Sequence, residues 1–114
     1  MNYSKKHDRA VMSTVYHFHP HFMGLHYFGV QPRWPFDYEP VAQVLEIDLE
    51  EVFRLTQGIE LSRDDEVRVE WLDLLRPNRS TSIGDVVVVD NGNVVQTWRC
   101  TGDCWELLSP DLDG

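Results

Sequence analysis

Residues 85–100, DVVVVDNGNVVQTWRC, constrain the fold more than any other stretch. An apolar run, DVVVVD at 85–90, meets the turn-forming residues DNGN at 90–93, and VVQTWRC at 94–100 resumes a β-rich pattern. Asn and Gly favour the positive φ that tight hairpin loops require, so the two runs predict an antiparallel pair. CWELL, 104–108, predicts one more strand after it.

Upstream, the clearest local signature is DLEEVFRLTQG, 48–58. Asp48 is placed to cap a helix and Glu51 to reach back to it, a capping box with Asp in the first position. Leu49, Val52, Phe53 and Thr56 then share one face, Gly58 is a natural stop, and the helix is expected over roughly 49–57. PVAQVLEI (40–47) and VRVEW (67–71) predict strands, and LDLLRP a turn or short helical stub ending before Pro77. TVYHFH (14–19) and GLHYFGV (24–30) predict two more, with Pro20 and Gly24 marking the turn between them. QPRWPFDYEP, 31–40, has too many prolines for helix or ladder. Its alternating Trp34, Phe36 and Tyr38 form either an aromatic lid packed on the sheet or an exposed recognition surface. The expected architecture is α+β, one small domain with a curved, mainly antiparallel sheet and one principal helix. It would span 12–110, between a basic lead at 1–11 and an acidic tail at 111–114.

Charge narrows the class of partner. The 114-residue chain has a formal net charge of −9, and every lysine, Lys5 and Lys6, lies in the first ten residues. The body keeps only arginine against a large excess of carboxylates. Such a surface repels a bare phosphate backbone, so direct nucleic-acid binding is not expected. It suits instead a basic groove that normally holds nucleic acid, although solubility or a salt-rich cytoplasm explains excess carboxylate equally well. No apolar run approaches the roughly 20 residues of a membrane helix, and no secretory leader is evident, so a cytoplasmic location is expected.

Motifs for chemistry are sparse. There is no G-x-S-x-G elbow and no glycine-rich phosphate loop. Cys100 and Cys104, in RCTGDC, lack zinc spacing and supply half a structural site. Four of the five histidines fall within HFHPHFMGLH, 17–26. His17, His19 and His26 are the metal-ligand candidates, but Pro20 interrupts the strand that would align them, and a polar strand edge is the simpler reading. No metal or other cofactor is expected.

NRSTSIGDVVVV, 78–89, is unusually rich in hydroxyls where the chain enters a buried strand. Ser80 and Ser82 can satisfy backbone groups, Gly84 can adopt a conformation closed to other residues, and Asp85 can clamp a turn. Arg79 is placed either to pair with Asp85 or to span to the tail. Taken together, DLEEVFRLTQ (48–57), RSTSIGDVVVV (79–89) and CTGDCWELL (100–108) resemble the YodL-like domains, small proteins of phages, plasmids and conjugative elements. The resemblance covers about residues 38–108. Gln57 stands where those domains often have Asn, and Cys104 where they often have Gly. The histidine strand and the proline–aromatic loop have no counterpart there. It implies a compact β-rich domain in a mobile-element setting and no particular reaction. A hydroxyl-rich bend opening a core strand is explained by folding alone, so the role expected for Arg79, Ser80, Ser82, Gly84 and Asp85 is structural.

The expected function is that of a non-enzymatic acidic interaction protein binding a host or element-encoded protein, such as a nucleic-acid-binding enzyme. In its sharpest form it is an anti-defence inhibitor, anti-CRISPR or antirestriction. Glu50, Glu51, Asp64, Asp65, Glu66 and Glu70 would then mimic nucleic acid, with Trp34 or Phe36 as anchors. The alternatives are a small metal-binding enzyme or sensor on the histidine cluster, and an accessory domain with no catalytic role.

Overall fold

The computed structural model describes residues 11–57, 60–72 and 79–109. They form a six-stranded antiparallel sheet in the order β3-β2-β1-β4-β5-β6. The strands are β1 (Met12–Phe18), β2 (Tyr38–Val44), β3 (Val69–Trp71), β4 (Val86–Asp90), β5 (Val95–Cys100) and β6 (Trp105–Ser109). Helix α1 (Leu49–Leu55) covers one face, and a single turn of helix, α2 (Arg63–Glu66), precedes β3. The α+β architecture read from the sequence is the one observed.

The β4–β5 hairpin forms as its turn residues dictate. Val86 pairs with Arg99 and Asp90 with Val95. The Asn91 side chain accepts from the backbone N–H of Asn93 and Val94, each at 2.9 Å, and Gly92 takes a φ of 95° that a side chain would strain.

Strand periodicity sorts the core. Ser13, Val15 and His17 alternate on the helix side of β1, beside Ala42 and Val44 of β2 and Val87 and Val89 of β4. Val52 and Leu55 of α1 close over this layer, each burial worth about 1.5–3 kcal/mol relative to exposure. The β1–β2 ladder slips between Val15 and Tyr16, whose partners are Ala42 and Pro40, so Val41 is an extra, bulged residue. Pro40, which has no N–H to donate, is tolerated at that bulge.

Two local expectations are corrected. GLHYFGV is not a strand: Leu25–Phe28 is a 3-10 turn flanked by Gly24 at φ 83° and Gly29 at φ 79°. Positive φ at both glycines breaks the extended chain, and β1 pairs with β2 and β4 instead. The cap of α1 also differs. Asp48 accepts from the N–H of Glu50 and Glu51, but Glu51 does not reach back. Arg54 captures the Glu51 carboxylate at 2.9 Å, and Glu46 accepts from the Asp48 N–H at 2.9 Å in its place. The LDLLRP stub, from 73 onward, and the acidic tail lie outside the described residues.

Candidate functional site: a buried clasp beside an apolar cleft

The segment 79–85 is held between the ends of β1 and α1. Asp85, fully buried, accepts from both terminal guanidinium nitrogens of Arg79 at 2.7 Å, from the Ser82 N–H at 2.7 Å and from the Phe18 N–H at 3.1 Å. Arg79 also donates to the Ser80 carbonyl and the Ser82 hydroxyl and lies 4.5 Å from the centre of the Phe18 ring. Toward the helix, Ser80 donates to the Gln57 carbonyl, and the Thr81 N–H to that of Thr56. The Gln57 amide in turn bonds the carbonyls of Phe53 and Thr81. Gly84 adopts a φ of 96°, and a Cβ there would sit 3.3 Å from the Phe18 ring. The hydroxyl-rich stretch and the helix end, far apart in sequence, are thus one hydrogen-bonded clasp.

His17, Thr81 and Asp85 superficially resemble a catalytic triad. His17 Nε2 is 3.0 Å from the Thr81 hydroxyl and 3.8 Å from an Asp85 oxygen. Both contacts fall on the same ring nitrogen, so the carboxylate cannot orient the imidazole from behind as general-base activation requires. Thr81 is 1% exposed and His17 4%, which leaves no approach for a substrate. Burial, aided by the Arg79 charge and opposed by Asp85 and Glu39, holds the His17 pKa down at about 4. The imidazole is a neutral structural partner at pH 7.

On the other side of the clasp the surface is apolar. The loop 19–37 folds over the second face of the sheet, where Trp34 packs edge-on against Tyr16 and Tyr38 at 4.9 and 5.2 Å between ring centres. Asp37 fastens this loop by accepting from the Arg33 N–H at 2.7 Å, a bond that with the Arg33 charge holds its pKa down. Between the loop, the 82–84 segment and residues of β1, β2, β5 and β6 lies a cleft of about 710 Å³. Phe18, Phe22 and Pro32 line it, and Met23, Val30 and Ile83 stand exposed at its edge. Arg99 and Glu106, paired at 3.2 Å, form its polar wall. The Tyr38 hydroxyl donates to the Gly84 carbonyl at 2.6 Å, and burial raises its pKa.

The residues singled out in the sequence separate into distinct places. Phe36 is 78% exposed with Arg33 near its ring, whereas Trp34 is packed into the loop. The acidic candidates do not form a bare carboxylate surface. Glu51 and Asp65 are bound by Arg54 and Arg68, which lowers the pKa of both, with Arg54 the leading cause, and Arg68 also pairs with Glu46. Glu50 accepts from the Trp105 indole at 3.3 Å. Asp64, Glu66 and Glu70 are exposed.

The histidines part company as well. His17 is buried under the helix face, while His19 and His21 lie in the exposed turn after β1, with the His21 N–H donating to His19 Nδ1 at 3.2 Å. Among the described residues no three His, Cys, Asp or Glu side chains are placed to share a metal ion. The His26 side chain lies outside the description. Cys100 is buried and Cys104 exposed, both as free thiols, and burial raises the Cys100 pKa. No helix among the described residues is long and apolar enough to cross a membrane.

Sequence reasoning missed the cleft. Its walls come from 18–32, Tyr38, 82–84 and 99–106, and the chain reversal at Gly24–Gly29 separates the loop part of the first from β1. The exposed apolar residues Met23 and Ile83, each beside a glycine, were the signal available. A scan against protein-family models finds no match, and neither the curated proteins nor the solved structures contain a significant one.

Proposed function

We propose that this chain is a non-enzymatic interaction protein whose working surface is the cleft and the apolar side chains around it. The carrying observation is that Met23 and Ile83, 54% and 64% exposed, converge on one cleft of a protein with a net charge of −9. A highly charged protein gains solubility by hiding apolar side chains, so a grouped exposed set favours a surface that a partner covers. The likeness of 48–57, 79–89 and 100–108 to the YodL-like domains supports a mobile-element setting, in which the chain would act in the cytoplasm of a host cell.

The sharper form, an anti-defence inhibitor that imitates nucleic acid, draws support from Asp64, Glu66 and Glu70, which remain exposed. The pairing of Glu51 and Asp65 with arginines weakens it, because neutralised carboxylates attract a basic groove less. Affinity capture with the full chain from a bacterial host lysate tests the reading, with Ile83→Ser and Glu66→Gln/Glu70→Gln variants run in parallel at low and high salt. A protein retained by the wild type and lost with Ile83→Ser supports the cleft. One lost with the double variant and released by salt supports the acidic mimic. Equal retention by all three removes both the cleft and the acidic surface as the binding site, and no retention refutes the interaction reading.

A further inference from the structure

We infer that the cleft takes an apolar side chain from a partner protein segment that carries lysine or arginine on either side of it. This rests on the interaction reading above and adds the chemistry of the partner. The apolar half follows from the lining: aromatic and proline side chains make the floor, and Met23 and Ile83 extend it outward. A small ligand is normally enclosed over most of its surface. Here the apolar edge stands open to solvent, and only an occupant that continues beyond the cleft covers it.

The basic half follows from the charges around it. Both cations beside the cleft are already engaged, Arg99 by Glu106 and Arg79 by the buried Asp85. An acidic partner therefore meets no uncompensated cation there among the described residues, and the chain's net charge of −9 repels it. A cationic partner is offered acceptors. Both Arg99 contacts end on Oε1 of Glu106, whose side chain is 53% exposed, and Asp103 lies exposed in the adjoining turn. Gly102 in that turn lets the backbone close on Ile83, since a Cβ there would be 3.3 Å from its Cδ1. The apolar contact and the carboxylates are thereby kept side by side.

The test is a titration of the ¹⁵N-labelled full chain with three synthetic hexapeptides, GRLFRG, GRSSRG and GELFEG, followed by amide shifts. GRLFRG is expected to move the amides of 22–24, 82–84 and 99–106. It should bind about tenfold or more tightly than GRSSRG, the factor carried by one buried Leu or Phe side chain, and more tightly than GELFEG, which keeps that side chain but reverses the charge. Ile83→Ser should abolish that advantage and Glu106→Gln reduce it. Equal binding of GRSSRG would mean charge alone acts, equal binding of GELFEG would remove the cation, and no shift at the cleft with any peptide would remove the site. Each of these overturns the inference. If the peptides fail while Ile83→Ser still releases a captured protein, the interaction reading stands and only its stated chemistry falls.

Discussion

The clasp and the cleft share Phe18, Ser82 and Gly84, yet they obey opposite rules. In the clasp a buried charge is fully answered: Asp85 meets Arg79 and two backbone N–H groups, and no buried polar side-chain atom among the described residues lacks a partner. In the cleft, apolar side chains such as Met23 and Ile83 stand in water. The first arrangement costs much to disturb and offers nothing to a ligand. The second contributes little to stability, and its exposed surface gains only when something covers it. A hydroxyl-rich motif can therefore be structural while its apolar neighbour holds the function.

The sharpest way to break the comparison is Asp85→Asn. It leaves the Arg79 guanidinium without its counter-charge and is expected to cost about 3 kcal/mol or more by chemical denaturation, nearer the lower end because Arg79 keeps some contact with water. A loss below about 1 kcal/mol would show that the pair is no more than a surface ion pair.

Acid probes the same clasp through His17. Its folded pKa, about 4, lies below the reference value of 6.5, so the unfolded chain binds the extra proton. Stability from this group is fully present above pH 6.5, declines as the pH falls through that value and is spent near pH 4, by about 3 kcal/mol at most. Denaturant midpoints between pH 7.5 and 4 should show that slope, and His17→Gln should flatten it. An unchanged slope in the variant would place the titration elsewhere.

Arg54→Gln should do little to the fold. Although Arg54 holds both Glu51 and Asp65, it is exposed, and the denaturation midpoint should barely move. The same change removes one of the two arginines that hold Glu51 and Asp65, leaving Arg68, and so makes the acidic surface more negative: capture that strengthens at low salt would favour the nucleic-acid mimic over the cleft.

What the sequence made legible was local. The DNGN hairpin, the Asp48 cap and the valine run of β4 are set by residues that act on near neighbours, and each stands where its pattern placed it. The short strands VRVEW and PVAQVLEI were found with shifted ends, because tertiary pairing and the Val41 bulge decide where a ladder stops. GLHYFGV misled because its β-forming residues lie between glycines whose positive φ overrides propensity. Alternation aligned His17 with His19, but the chain turns at Pro20 and sends them apart. Neither the Gln57–Thr81 bond nor the cleft could be read, since each joins residues that only the completed sheet brings together.

Ile83→Ser, assayed for both stability and GRLFRG binding on one preparation, tests the central claim most directly. Ile83 is exposed on the cleft edge one residue from Gly84, so the account predicts a denaturation midpoint within about 0.5 kcal/mol of wild type and loss of peptide binding. A variant that unfolds as it loses binding would make Ile83 part of the clasp. One that keeps both would leave the cleft without a function.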